Sequence, residues 1–300
     1  MSFKNLKPIL ALLVANLSWA CAYPLYDILL SNHIKPLPLL TLTMIISALL
    51  SLIPLLFGKY ERVDNRDILT LMGAGVLIAV IRKGMLIWGL SMTSPIDGSI
   101  ISTVAPIVAL IISVAVGIDS FNRGKVIGLV VGLAGAVGVI LTGGGTAHAE
   151  SGMWGNILIL LCAFISAIYV VWFKSLLKKY KPITIMRWMF CTAALILLPF
   201  GIEPLVESNI HQYKTEVLLA LTYILIVPTY MPNLLVNYAL QYVSPTVTSS
   251  FAYLQPIVAG AITIALRLDK PNPLTFVFAA LIFIGVAVVI RSYEKPKPND

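Results

Sequence analysis

Apolar runs about as long as a bilayer is thick recur along the whole chain and leave little sequence between them. A helix needs about 20 such residues to cross a hydrocarbon core of roughly 30 Å. Ten stretches qualify: 8–30, 37–57, 68–90, 95–117, 124–141, 154–177, 183–202, 216–241, 246–266 and 273–290. They hold 217 of the 300 residues, so tails and loops leave no room for a soluble catalytic or regulatory domain. Composition agrees, with 59% apolar and 11% charged residues against about 45–50% and 25% in soluble domains. The expected fold class is all-α and integral to the membrane, and a soluble enzyme is excluded.

The net charge of +8 is topology rather than a nucleic-acid signal. With the N-terminus placed inside, the segments on the cytoplasmic side carry 15 Lys and Arg, among them Lys59, Arg62, Lys178, Lys179 and Arg291. The outer segments carry four: Lys35, Lys214, Arg267 and Lys270. Cationic loops are retained in the cytoplasm, so both termini are expected there, in a cell membrane. Two of the 21 cations remain, Arg82 and Lys83, inside the third span. Lys4 and Lys7 ahead of Ser18-Trp19-Ala20-Cys21 faintly resemble a signal peptide, but Trp19 and the apolar run on to Leu30 argue for a retained span. Cys21, Cys162 and Cys191 fall inside apolar runs at wide spacing, which suits packing rather than a disulfide frame or metal site.

The chain also repeats. Residues 94–122 match 244–272 at an offset of 150, with identities that include Ser94, Pro95, Ser99, Pro106, Asp119 and Asn122, and Gly135 continues the match to Gly285. Two halves of five spans follow: 8–141, an outer connecting loop at 142–153 containing Gly143-Gly144-Gly145, and 154–290. Five is odd, so the second half enters the membrane inverted, an arrangement suited to alternating access.

The stretch Thr93-Ser94-Pro95-Ile96-Asp97-Gly98-Ser99 through Pro106-Ile107-Val108-Ala109, its echo Val243-Ser244-Pro245 through Pro256-Ile257-Val258-Ala259, and Asn237-Tyr238-Ala239-Leu240 closely resemble the EamA repeats of the drug/metabolite transporter superfamily. The resemblance covers nearly the whole chain. It implies ten spans in two EamA domains and a central cavity for a small organic metabolite, often exported. The chain departs from the family pattern at Gly117-Ile118-Asp119 and Arg267-Leu268-Asp269, where the family often has Gly-Glu. It departs again at Arg82-Lys83, where the family usually has neutral Asn-Gln.

A cation within the hydrocarbon region costs about 2.5 kcal/mol or more and normally faces protein or water. The alternative for Arg82 and Lys83 is snorkelling, or pairing with Asp27 or Asp97 near the outer boundary. On span eight, Tyr223, Tyr230, Asn233, Asn237 and Gln241 form one polar stripe at helical spacing. The offset maps Asn233 onto Lys83 and Pro232 onto Arg82, so Lys83 is expected on the substrate path and Arg82 as a paired, structural cation. Asn16, Trp19, Tyr23, Tyr26 and Asp27 make a second face; Tyr26 suits an interface anchor. Asn16, Trp19 and Tyr23, with Tyr230 and Tyr253, are positioned to stack on or hydrogen-bond an organic solute. Pro228 and Pro232 each remove a helix hydrogen bond, a feature of discontinuous helices at transporter sites. The duplicated Pro106 and Pro256 read as hinges or packing kinks.

His33, His148 and His211 lie in outer loops, and no Asp or Glu sits at the centre of a span. Uniport or exchange is therefore favoured, with Lys83 and Asp97 as the groups through which a proton could couple. No catalytic or nucleotide-binding motif occurs, and no cofactor or metal is expected. The reading is a secondary transporter, an exporter or exchanger and not an enzyme, for a small anionic or zwitterionic, amino-acid-like metabolite. Its partners are a small-molecule substrate and the lipid bilayer, not nucleic acid, and the chain is a monomer or homodimer. A flippase-like translocator of phosphorylated head groups and a non-transporting receptor or scaffold remain as alternatives.

Overall fold

Several helices begin where the sequence supplies prolines. In a computed structural model, which describes residues 6–32, 34–58, 60–117, 122–142, 149–243, 248–249, 251–268 and 273–291, prolines occupy the first turns of α2 (Pro36–Leu56), α5 (Pro95–Ser102), α6 (Ala105–Ala115) and α10 (Pro182–Glu207). A first-turn N–H has no partner within the helix, so its loss there is harmless. Ser94 caps α5, its hydroxyl accepting from the Asp97 N–H at 3.1 Å. Gly58 and Gly117, at φ of 68° and 74°, follow α2 and α6 in the left-handed conformation that glycine adopts without strain.

The other helices are α1 (Leu6–Asn32), α7 (Arg123–Thr142), α8 (Ala149–Trp172), the short α9 (Lys174–Lys179), α11 (Thr215–Leu240), α12 (Leu254–Ala265) and α13 (Pro273–Arg291). The third apolar stretch is composite: α3 (Asn65–Ala74) runs through a π-helical segment, Gly75–Arg82, into α4 (Lys83–Leu90). No strand occurs among the described residues. Seven of the described helical stretches are long and apolar enough to cross a membrane, against the ten expected. Leu254–Ala265 and Pro273–Gly285 are apolar but shorter. α12 is short because a 3-10 turn, Phe251–Tyr253, precedes it.

That turn has an equivalent at Thr103–Val104 in the first half, which separates α5 from α6. Pro106 and Pro256 stand just behind these interruptions, in the first turns of α6 and α12. Pro228 and Pro232 do not interrupt α11, which runs unbroken for 26 residues. The carbonyls they free have found other donors. The Thr229 hydroxyl donates to the Ile224 carbonyl at 2.7 Å, and the Trp19 indole N–H of α1 donates to the Pro228 carbonyl at 2.9 Å. With both groups satisfied, a helix can carry prolines at this depth without unwinding.

The packing follows the duplication. α1 lies along α11 and α12, and α8, its counterpart by the 150-residue offset, lies along α4, α5 and α6. α2 packs on α10 and α7 on α13, each pair made of equivalent elements. The offset therefore exchanges each of these contacts with another observed contact, as a pseudo-two-fold axis would. The α7–α13 seam is closed by glycines, with the Gly132 and Gly285 backbones in direct contact and Gly135 and Gly138 against Phe278. Outward-facing Leu69, Leu195, Phe200 and Leu219 are each at least 65% exposed, a surface that suits lipid rather than water.

Candidate substrate cavity

The π-helical segment ends at Arg82, in the middle of the third stretch, and brings two adjacent cations to one cavity. A π-turn is wider than an α-turn, so neighbouring residues diverge less around the axis; such segments are frequent at functional sites. Arg82 and Lys83 both line a cavity of about 180 Å³ between α1, α4, α8, α11 and the start of α12.

The offset runs through the lining as well. Asn16 and Ser166, Trp19 and Tyr169, Ala79 and Thr229, Lys83 and Asn233, and Ala105 and Gln255 are all equivalent pairs in which both members line the cavity. The cavity is therefore built from equivalent positions of both halves. Arg82 is an exception, since its counterpart Pro232 is absent from the lining.

Lys83 is held in place: its ammonium donates to the Tyr26 hydroxyl at 2.6 Å and sits 5.1 Å from the centre of the same ring. Tyr26, expected as an interface anchor, is only 2% exposed and belongs to the cavity. The ion pairs of Lys179 with Asp64 and Asp67, described below, do not involve Arg82, which lines the cavity instead of standing apart from it as the structural cation expected. Its backbone carbonyl accepts a weak bond from the Cys162 thiol at 3.2 Å. No Asp or Glu is among the described lining residues. On membrane-insertion scales two such cations cost roughly 5–7 kcal/mol together.

The neutral polar groups largely satisfy one another. The Gln255 amide donates to Asn16 Oδ1 at 2.8 Å, and the Tyr23 hydroxyl donates to Gln255 Oε1 at 3.2 Å and lies 2.7 Å from Ser102 Oγ. The Tyr169 hydroxyl donates to Asn237 Oδ1 at 3.0 Å, and Asn233 Nδ2 donates to the Thr229 carbonyl in its own helix. Of the residues expected from sequence, Asn16, Trp19, Tyr23, Arg82, Lys83, Pro228, Asn233 and Asn237 come together here. Tyr230 does not; its ring packs 6.4 Å from that of Phe190. The Tyr253 side chain lies outside the described residues. Tyr223 and Gln241, the ends of the polar stripe, serve structure by donating to the carbonyls of Ser18 and Leu177. Tyr169, Ser102 and Gln255 are additions. The repeat could have found Tyr169, because it is the counterpart of Trp19.

One end of the bundle carries an ionic cluster outside this cavity. Lys179 of α9 bridges Asp64 at 2.5 Å and Asp67 at 2.7 Å, Tyr180 donates to Asp67 at 2.6 Å, and the Lys181 N–H donates to Glu61. The two carboxylates hold the Lys179 ammonium well above the ordinary lysine range. The three cysteines are free thiols. No cluster of potential metal ligands occurs among the described residues.

The family model for EamA-like transporters matches residues 6–141 and again residues 153–291. The chain belongs to this family. As an EamA-like protein it is a multi-pass membrane transporter, and the match falls on both halves of the repeat. A protein of Archaeoglobus fulgidus named an uncharacterized transporter is 24% identical over 268 residues, covering 87% of this chain and 90% of its own length. The uncharacterized transporter YdfC of Bacillus subtilis is 25% identical over 244 residues, 80% of this chain and 77% of its own. A solved crystal structure shares the EamA-like fold, with a TM-score of 0.60 at 18% identity, over 92% of this chain and 98% of that one.

Proposed function

We propose that this transporter carries a small polar organic metabolite, anionic or zwitterionic, across the cell membrane by alternating access, as an exporter or exchanger. Its frame is ten spans in two inverted halves with both termini in the cytoplasm. One observation carries the reading: a solute-sized cavity built from equivalent positions of both halves is lined by two cations, amides, hydroxyls and aromatic rings, with no described carboxylate among them. A site shared by two such halves can be exposed to either side by rocking one half against the other. The amides and rings suit an organic body, and the cations suit a carboxylate. Counterflow in proteoliposomes tests it. Vesicles loaded with one metabolite should accumulate the same labelled metabolite from outside, and Lys83→Met should reduce that accumulation. Folded protein that gives no counterflow with any member of a library of metabolite anions and amino acids would refute the reading.

A further inference from the structure

The hydrogen-bond ledger of the cavity singles out one group. Asn16, Tyr23, Tyr169 and Gln255 use their polar atoms on one another or on neighbouring side chains, and Lys83 is held by Tyr26. The Arg82 side chain makes neither a hydrogen bond nor an ion pair with any described residue, although it lies in the electrostatic reach of Tyr23, Tyr26 and Tyr169. A guanidinium presents five N–H donors in a planar fork and keeps its charge at every physiological pH. That fork matches a carboxylate, which it binds through two parallel hydrogen bonds.

We propose that Arg82 docks the carboxylate of an organic anion, and that the uncompensated charge of the cavity makes transport an exchange of one anion for another. The inference rests on the carrier reading above and narrows its substrate from anion or zwitterion to anion. No carboxylate is among the described lining residues, and the solute supplies the countercharge. A zwitterion supplies a carboxylate but brings an ammonium into a cavity that already holds Lys83 and no described carboxylate. The same imbalance fixes the transport mode. To switch sides, the carrier passes through a state in which the cavity is closed to both solutions and its charges are cut off from water. An anion on Arg82 pairs the guanidinium in that state; an empty cavity leaves it unpaired. The loaded carrier therefore switches quickly in both directions and the empty one slowly, so each anion that leaves is replaced by one that enters.

The test uses the full chain, purified and reconstituted, with labelled lactate, succinate, serine and ethanolamine as probes. Uptake of lactate or succinate into vesicles preloaded with the same anion is expected to exceed uptake into empty vesicles by about tenfold or more. Serine and ethanolamine should not accumulate under either condition. Arg82→Gln should lower anion exchange by about tenfold or more, since a hydrogen bond to a charged partner is worth at least that in affinity. Arg82→Lys should restore part of it. Lys178→Gln, an exposed cation remote from the cavity, should exchange like the wild type. A thermal melt of each variant in detergent, matching the wild type, separates a lost site from a lost fold. Equal uptake into empty and loaded vesicles, or full exchange by folded Arg82→Gln, overturns the inference. Exchange of serine that survives Arg82→Gln overturns it while leaving the carrier reading in place. Folded wild-type protein that exchanges none of the four probes overturns the inference, and the library counterflow then decides the carrier reading.

Discussion

The α7–α13 seam allows a stability prediction in which one chemical change is compared at two sites. A Cβ added at Gly285 meets the Gly132 amide nitrogen at 2.4 Å, the Gly128 carbonyl oxygen at 2.5 Å and the Gly132 Cα at 2.7 Å. Ordinary contact begins near 3.4 Å, so Gly285→Ala requires the helices to part by about 1 Å. All three obstacles are backbone atoms of a helix, so no rotamer change relieves them. Gly260 in α12 offers a reference, because a Cβ there meets nothing within 4 Å. Both substitutions gain the same helix propensity, about 1 kcal/mol over glycine. Gly260→Ala should therefore be neutral or stabilising by up to about 1 kcal/mol. Gly285→Ala carries in addition an overpacking cost of about 1–3 kcal/mol. Its net effect is a loss of about 0–2 kcal/mol, and the difference between the variants equals the overpacking cost. The assay is denaturation of purified protein in mixed micelles, followed by tryptophan fluorescence, with the midpoints of the two variants compared directly. Coincident midpoints would refute the reasoning, because they would mean that the two helices do not touch at glycine.

Three further predictions concern individual contacts. Trp19→Phe keeps an aromatic ring but removes the donor to the Pro228 carbonyl, so it should cost about 1–2 kcal/mol as an orphaned buried acceptor in the same denaturation assay; an unchanged midpoint would show that the carbonyl has another partner. Tyr26→Phe releases the Lys83 ammonium and should raise the apparent KM for an anionic probe about threefold to tenfold with little change in folded stability; an unaltered KM would remove Tyr26 from the site. Lys179→Gln dissolves the Asp64–Lys179–Asp67 cluster. Because those carboxylates raise the Lys179 pKa, the contribution is fully present below the ordinary lysine value and is lost only as pH rises through the raised one. The difference in thermal midpoint from wild type should thus be constant from about pH 7 to 9 and shrink in about 1 M salt, where the Debye length is near 3 Å; a difference that vanishes within that pH range would point to another titrating group.

Radial position was harder to read from the sequence than position along the chain. The apolar runs give the helices their places because span length is set by the bilayer, and the offset of 150 survives in the packing and in the cavity lining alike. The orientation of Arg82 was hidden for a local reason. A constant α-helical pitch turns Arg82 away from the polar stripe, but the segment Gly75–Arg82 is π-helical, and nothing in its apolar residues announces the change of pitch. Tyr26 was misplaced because distance from a span end says nothing about which side of the helix meets a neighbour. Tyr230 failed for the converse reason: it shares the stripe of Asn233 and Asn237, yet Phe190 of α10 covers it.

The axis explains why duplication alone does not define a site. Where the offset pairs like with like, as at Ser99 and Ser249 or Ala109 and Ala259, the residues keep the two halves able to pack in the same way. Where it pairs unlike residues, the cavity acquires chemistry: Lys83 corresponds to Asn233, Ala105 to Gln255 and Arg82 to Pro232. Arg82 and Pro232 also divide a structural task. Pro232 leaves the Pro228 carbonyl for Trp19 to satisfy, which ties α11 to α1 on one side of the axis. On the other side Arg82, which has its N–H, closes the π-helical segment and sends a charge inward. A transporter of this design needs only the frame to be symmetric. In the carrier proposed above, selectivity comes from the few positions where the halves have diverged, and the cations of the third stretch are the largest divergence in charge among the described lining residues.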